Sequence, residues 1–250
     1  MRSRHLDWLS ARPIAHRGLH DAERGVIENT AAAAQAAIDG GYGIEVDLQV
    51  SADGEAMVHH DAELGRLIDG SGRLDQLAAA ELKRLRYRGS GAAMLTLGEL
   101  CDLVGERATL LLELKSRFDG DPALPARVAA VLSGYRGPVA PMSFDARQLQ
   151  QLRQKAPQLP RGIVAARYRP HPYWDLMPPW QRYGMGSLLP ALTARPHFVA
   201  YAVDNLPALA PALTRHILCL PLLTWVVRSE TERHRALRWA DQVIFEGFRA

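Results

Sequence analysis

Two short segments of the sequence place charged residues on either side of a single apolar residue. They are EVD at 45–47 and ELK at 113–115, and each lies in an apolar run typical of a buried strand. Because side chains alternate between the two faces of a strand, residues two positions apart point the same way. The spacing therefore predicts that Glu45 and Asp47 share one face, and that Glu113 shares a face with Lys115.

Acidic side chains gathered in a strand-rich core repel each other unless a cation or a proton lies between them. Glu45, Asp47 and Glu113 offer only oxygen ligands, and no cysteine is near them in the sequence. Oxygen ligands are typical of a hard divalent ion, so we expect one metal ion, Mg²⁺ or Ca²⁺. The alternative is that these acids form surface ion pairs, but the apolar runs around them favour the metal site.

Two histidines flank this acidic set in the sequence, and each has a charged neighbour. They are His16, next to Arg17, and His60, next to Asp61. Imidazole titrates near neutral pH, so one ring can accept a proton while the other donates one. We therefore interpret His16 and His60 as the catalytic pair. His59 would face away on a strand and is assigned no role.

Arg17 and Lys115 are the candidate phosphate ligands. A guanidinium binds phosphate oxygens through its planar fork, whereas an ammonium acts as a compact charge. The chain has 30 basic residues, of which only Lys83, Lys115 and Lys155 are lysines. A lysine retained at position 115 is a weak indication that the smaller cation is needed there.

The elements that would position these residues alternate between apolar runs and helical patterns. The predicted strands cover 13–15, 42–50, 109–114, 138–143, 162–165, 197–203, 220–227 and 242–246. The predicted helices cover 30–39, 122–132, 146–155, 206–215 and 229–239, with a further helix that begins at the Thr96–Glu99 capping box. Eight strands alternating with helices predict an α/β protein with a TIM (β/α)₈ barrel, whose chemistry lies at the carboxyl ends of the strands.

Two parts of the chain interrupt this alternation. Residues 51–108 read as a small insertion over the barrel mouth, with a returning strand at 55–60 and a short helix near 75–85. Residues 171–192 are rich in proline and aromatic residues, and their structure is left open. Neither part resembles a linker, so residues 1–250 are interpreted as one domain.

The composition of the chain constrains the classes of function. The net charge of +3 comes from scattered basic residues, which gives little support to nucleic-acid binding. Cys101 and Cys219 lie in apolar stretches, so both are expected to be buried free thiols, as in a reducing compartment. There is no signal-peptide pattern and no apolar run of membrane-spanning length, so a cytoplasmic protein without stable membrane insertion is expected. The oligomeric state is left open.

Taken together, the motifs resemble the glycerophosphodiester phosphodiesterase family of the cytoplasmic bacterial type. The matching motifs are HRG at 16–18, ENT at 28–30, EVD at 45–47, DG at 53–54, HD at 60–61, ELK at 113–115, SF at 143–144 and WVV at 225–227. Their order and spacing fit across nearly the whole chain, and those in the first half are the specific ones.

The resemblance implies a barrel of the phospholipase C-like phosphodiesterase type that hydrolyses small glycerophosphodiesters to sn-glycerol 3-phosphate and an alcohol. In the family pattern the two histidines are the general acid and base, and the three acids hold the metal. Arg17 and Lys115 would contact phosphate, Asn29 would orient the site from the start of the first helix, and Trp225 would line the pocket. The neighbouring glycerol hydroxyl would attack phosphorus to give a cyclic phosphate that water then opens.

The chain departs from this pattern at Ile27, Met142 and Glu246, where proline, serine and aspartate are usual. We expect these departures to affect substrate preference rather than the metal or the histidines. Two alternatives remain. One is a phospholipase-like or sphingomyelinase-D-like enzyme acting on a lipid. For that enzyme an apolar rim would be formed by Trp174, Met177, Trp180, Tyr183 and Met185, although residues of these types more often pack a loop onto the barrel. The other is a non-catalytic barrel that binds a phosphorylated ligand.

Overall fold

The structure is a computed structural model that describes residues 4–170 and 172–250. His171, in the segment that the sequence pattern left open, lies outside the described residues. The strands of the described chain are β1 (Ile14–Ala15), β2 (Gly43–Val50), β3 (Ala56–Val58), β4 (Leu110–Leu114), β5 (Val139–Ser143), β6 (Gly162–Ala165), β7 (Phe198–Ala202), β8 (Leu222–Val227) and β9 (Gln242–Phe245). Each predicted strand is found, within one or two residues at either end.

Helices separate most of these strands. They are α1 (Ala31–Asp39), α2 (Ala79–Leu82), α3 (Leu97–Val104), α4 (Ala123–Leu132), α5 (Ala146–Lys155), α6 (Pro172–Asp175), α7 (Pro179–Gly184), α8 (Ala191–Ala194), α9 (Leu209–His216) and α10 (Glu230–Ala236). The predicted capping box is present at the start of α3, where Thr96 accepts from the backbone N–H of Glu99. Within the described residues, no helix is both long and apolar enough to cross a membrane.

Eight of the described strands are parallel and close into a barrel. Their order around it is β1, β2, β4, β5, β6, β7, β8 and β9, and β9 pairs with β1. Strand β3 pairs antiparallel with the end of β2 and lies outside this closed ring. The predicted TIM barrel is therefore confirmed. Its strands read as apolar runs because parallel strands in this architecture are covered on both faces.

The residues between β2 and β4 form a small layer with its own apolar core. That core contains Ile68, Leu74, Leu82 and Tyr87, which are all buried, and it packs beside Met57 of β3. The turn after β3 carries His60 and Asp61 back to the carboxyl ends of the barrel strands. The layer thus supplies residues to the barrel mouth.

Candidate active site

Three carboxylates lie together at the carboxyl ends of β2 and β4. Asp47 and Glu113 are register partners on these neighbouring strands, and Glu45 lies two residues before Asp47 on the same face. Oxygen atoms of all three lie within 4.8 Å of one another. The side chains are buried, with exposed fractions of 1% for Glu45, 0% for Asp47 and 8% for Glu113. The EVD and ELK segments of the sequence therefore bring their acidic side chains together at one site.

Asp47 is the most highly connected of these acids. Its carboxylate oxygens lie 2.8 Å from Nζ of Lys115 and 3.3 Å from Nε of Arg17. Asn29 donates its side-chain amide to Asp47 at 2.9 Å and accepts the Asp47 backbone N–H at 3.2 Å. Burial would raise the pKa of Asp47, but the positive charges of Lys115 and Arg17 hold it well below its usual range. Asp47 therefore remains ionised.

Glu45 has the opposite electrostatic environment. Burial, together with the charges of Asp47 and Glu113, raises the pKa of Glu45 well above its usual range. One carboxylate oxygen accepts the backbone N–H of Arg17 at 3.0 Å, whereas the buried Oε1 has no hydrogen-bond partner. A buried oxygen without a partner is costly unless it binds a proton or a cation. The three carboxylates thus fit a divalent metal ion.

The HRG turn after β1 brings Arg17 to these acids. Arg17 adopts φ 57°, and the next residue, Gly18, adopts φ 78°. A Cβ on Gly18 would lie 2.7 Å from the backbone carbon of Ala33, so only glycine fits against α1. The Arg17 guanidinium also donates to Glu28 at 2.7 Å. The tight turn therefore aims both the backbone and the side chain of Arg17 at buried acids.

His16 is oriented by a residue from the other end of the chain. Its Nδ1 lies 2.6 Å from Oε2 of Glu246, which follows β9, and its Nε2 lies 3.9 Å from Glu45. Glu246 also accepts from Arg228 at 2.9 Å. The hydrogen bond from His16, together with the His20 ring 3.9 Å away, holds the pKa of Glu246 well below its usual range, whereas burial lowers the pKa of His16.

This contact corrects one expectation from the sequence. The departure at Glu246 was expected to leave the histidine set untouched, and that expectation is wrong because Glu246 binds His16 directly. Its position at the end of the last predicted strand was visible in the sequence. The contact itself was not, because it depends on closure of the barrel through the pairing of β9 with β1.

His60 is oriented by its own sequence neighbour. Its Nδ1 lies 2.8 Å from Oδ1 of Asp61, and Asp61 accepts from Arg66 at 2.6 Å. Arg66 also donates to Glu28 at 2.7 Å, which links the layer after β3 to the HRG turn. Sequence reasoning assigned no role to Arg66 or Glu28. The signals visible in the sequence were the charge of Asp61 and the place of Glu28 in the ENT motif.

His59 lies away from the site, as its place on a strand predicted. It is buried, and its Nδ1 lies 2.9 Å from the hydroxyl of Tyr87. Burial lowers the pKa of His59 to about 4. His59 is therefore a neutral core residue at neutral pH.

One cavity of about 890 Å³ joins these groups. The predicted site residues on its wall are His16, Arg17, Glu45, His60, Glu113, Lys115 and Trp225. Asp47 and Asn29 lie behind this wall and are linked to each other by hydrogen bonds. The structure thus brings together all nine residues that the sequence singled out.

The apolar rim of the lipid alternative is found only in part. Met177 and Met185, which flank α7, are buried in the apolar core beside the barrel strands instead of forming a rim. Trp174 lines the cavity, while Trp180 and Tyr183 are 50% and 70% exposed.

The cysteines are both free thiols, but only Cys101 is buried, so the expectation of burial is wrong for Cys219.

Comparisons with known proteins agree with this architecture. A glycerophosphodiester phosphodiesterase of Caldanaerobacter subterraneus subsp. tengcongensis is 30% identical over 161 residues, which cover 60% of this chain. The match spans 65% of that relative, which is just under two thirds of its length. A glycerophosphodiester phosphodiesterase of Bacillus subtilis is 25% identical over 228 residues, which cover 82% of this chain and 73% of the relative.

A solved structure shares the fold along almost the entire chain. It is an Oleispira antarctica phosphodiesterase in complex with the product sn-glycerol-3-phosphate, with a TM-score of 0.76 and 21% identity. The alignment covers 96% of this chain and 95% of that one. The model of the glycerophosphoryl diester phosphodiesterase family matches residues 16–245, a range that contains the three acids and both histidines. The chain therefore belongs to the glycerophosphoryl diester phosphodiesterase family.

Proposed function

We propose that this chain hydrolyses glycerophosphodiesters to sn-glycerol 3-phosphate and an alcohol, with Mg²⁺ or Ca²⁺ held by Glu45, Asp47 and Glu113. The observation that carries the proposal is the single cavity that His16 and His60 share with the acid cluster. Family membership supports the reaction class, and the names of the relatives support the substrate class.

The charge balance of the cluster supports the metal. Three carboxylates face two cations, Arg17 and Lys115, so the fully ionised cluster carries one net negative charge. A phosphodiester is itself an anion and would be repelled by that charge. A bound divalent cation would make the cluster net positive and stabilise negative charge on the phosphoryl oxygens. Arg17 and Lys115 would then be available to bind the phosphate group.

The contacts of the two histidines define their proton states. A carboxylate only accepts hydrogen bonds, so Nδ1 of His16 carries a proton toward Glu246, and Nδ1 of His60 carries one toward Asp61. In each neutral ring, Nε2 is then the free proton acceptor. One histidine takes the proton of the attacking hydroxyl, and the other, when protonated, donates to the departing alkoxide. Glu246 and Asp61 fix the ring orientations that both transfers require.

The test is product analysis with glycerophosphocholine as substrate and Mg²⁺ or Ca²⁺ present. We expect glycerol 3-phosphate and choline in equal amounts, and at least a 100-fold lower kcat for His60→Ala. His234→Ala is the matched control because His234 lies on α10 with 74% of its side chain exposed. Absence of turnover in the wild type would favour the non-catalytic barrel. Full activity of His60→Ala would contradict the proton-transfer assignment.

A further inference from the structure

The SF motif at 143–144 has no role in the proposed reaction, but it lies beside the segment that carries Lys115. Ser143 is the last residue of β5 and is fully buried, and its hydroxyl donates to the carbonyl of Leu114 at 2.8 Å. The backbone N–H of Asp145 donates in turn to the Ser143 hydroxyl at 3.0 Å. The motif therefore ties the turn before α5 to the end of β4.

Asp145 extends this connection to the residue that follows Lys115. One of its carboxylate oxygens accepts the hydroxyl of Ser116 at 2.6 Å, and the other accepts the backbone N–H of Arg147 at 2.8 Å. Asp145 is the N-cap of α5, so one side chain fixes both the start of the helix and the chain just after Lys115. The first turn of α5 is thereby held in a defined position relative to Lys115.

Gln148 lies in this first turn and contacts Lys115 itself. Its side-chain amide donates to the backbone carbonyl of Lys115 at 2.9 Å, beyond the end of the ladder between β4 and β5. Gln148 is 5% exposed, and its buried Oε1 has no hydrogen-bond partner among the described residues. Burial of an amide with an unpaired oxygen costs stability. A glutamine at this position is therefore not explained by stability alone.

Lys115 is the residue whose position this contact controls. Its ammonium lies 2.7 Å from a carboxylate oxygen of Glu113 and 2.8 Å from one of Asp47. A bound phosphate must compete with these acids for the ammonium, and a lysine side chain has many rotamers in which to meet it. A backbone that is fixed at Lys115 leaves fewer of them, which lowers the entropy lost when the phosphate binds.

We propose, on the basis of the proposed function, that Gln148 is a positioning residue for phosphate binding that acts through the backbone of Lys115. Gln148 does not lie on the cavity wall, whereas Lys115 does, so the effect on a bound phosphate passes through Lys115. The phosphate is charged before the reaction as well as during it. Loss of the contact should therefore weaken binding more than it slows the chemical step.

The first test compares two glutamines of α5. Gln151 donates to the carbonyl of Gly120 at 2.9 Å and also has a buried Oε1 without a partner in the described chain, but its acceptor lies further from Lys115 in the sequence. Affinity for inorganic phosphate, measured by calorimetry with Mg²⁺ present, should fall about fivefold in Gln148→Met and less than about twofold in Gln151→Met. Equal losses, or no loss in Gln148→Met, would overturn the proposal.

The second test is a double-mutant cycle with Lys115. In a Lys115→Gln background, Gln148→Met should change the phosphate affinity less than about twofold. A loss of about fivefold in that background as well would overturn the proposal, because the effect would not pass through Lys115. If Gln148→Met does not fold, Gln148→Ala takes its place in both tests, since it adds no bulk around α5.

Kinetics with glycerophosphocholine complete the test. In Gln148→Met, KM should rise about fivefold while kcat changes less than about twofold. A fall in kcat at constant KM would mean a merely structural role and would overturn the proposal. The affinity measurement needs no turnover, so a wild type that binds phosphate but cleaves no glycerophosphodiester contradicts only the proposed function. A wild type that binds no phosphate overturns the role of Gln148.

Discussion

The two histidines of the site are held in the same way by very different parts of the chain. His16 binds Glu246, which lies 230 positions away, and the contact exists only because β9 pairs with β1. His60 binds the adjacent Asp61, and Arg66 of the same layer supports that carboxylate. The first arrangement depends on closure of the whole barrel, whereas the second depends on local structure outside it.

The two arrangements also differ in burial. The side chain of His16 is 14% exposed and that of His60 is 32% exposed. A carboxylate contact in a more buried place is less screened by water, so it constrains the ring more strongly. The comparison therefore predicts unequal effects when equivalent contacts of the two histidines are removed.

The largest effect is expected from Asp47, which interacts electrostatically with both histidines. Asp47→Asn removes a proposed metal ligand and the charge partner of Arg17 and Lys115. We expect kcat to fall about 10³-fold, because charge stabilisation at the phosphoryl group is lost. Steady-state kinetics with glycerophosphocholine measures the loss, with the exposed Asp39→Asn as control. A loss below tenfold would show that Asp47 is not central to the site.

Low pH should destabilise the layer between β2 and β4, because it protonates His59, the buried neighbour of His60. The pKa of His59 is about 4 in the folded chain because of burial, and about 6.5 when unfolded. Since the unfolded state binds the proton more readily, the stability contribution is complete above about pH 6.5 and declines as pH falls toward 4. The decline amounts to about 3 kcal/mol at most. Urea unfolding of wild type and His59→Asn across this pH range should show that the difference between their free energies of unfolding shrinks as the pH falls. A difference that stays constant with pH would contradict the low pKa of His59.

The next largest effects on kcat are expected from the two carboxylates that orient the histidines, and the two effects should differ. Glu246→Gln and Asp61→Asn each replace a charge-assisted hydrogen bond, which is worth about 1.5–3 kcal/mol, or roughly 10- to 100-fold in kcat. We expect the larger loss for Glu246→Gln, because its contact is shorter and more buried. The loss should appear in kcat rather than KM, and Glu246→Asp should restore part of it. Equal losses, or a larger loss for Asp61→Asn, would contradict the comparison.

The smallest effects are expected from the arginines behind these carboxylates. Arg66 supports Asp61 and Arg228 supports Glu246, and their side chains are 46% and 63% exposed. Exposed ion pairs contribute about 1 kcal/mol or less, so Arg66→Gln and Arg228→Gln should each lower kcat by about fivefold at most. The losses should shrink at high salt, which kinetics at two ionic strengths would reveal. A salt-independent loss would require a role other than charge support.

Much of the barrel could be predicted because its strands are buried on both faces. A segment such as 109–114 is typical of a core strand, and its one charged residue, Glu113, then stands out against the apolar pattern. Alternation along the strand placed Glu45 and Asp47 on one face, and the register of β2 and β4 confirms that Glu113 joins them.

What could not be predicted depends on contacts between distant segments. The sequence marks Glu246 only as a departure from a family pattern, because nothing near it in the sequence points to His16. Residues 171–192 form the short helices α6, α7 and α8 in their described part, and repeated prolines hide helical periodicity at that length. Burial of Met177 and exposure of Trp180 likewise follow from how α7 packs on the barrel, which no local pattern encodes.

The most direct test of the account is removal and return of the metal. Release of glycerol 3-phosphate from glycerophosphocholine would be followed for wild type and Glu45→Gln after chelation and during titration with Mg²⁺ or Ca²⁺. We predict that chelation abolishes wild-type activity, that one of these ions restores it, and that Glu45→Gln needs a higher concentration or stays inactive. Wild-type activity that survives complete chelation would contradict the central claim that the three carboxylates act through a bound cation.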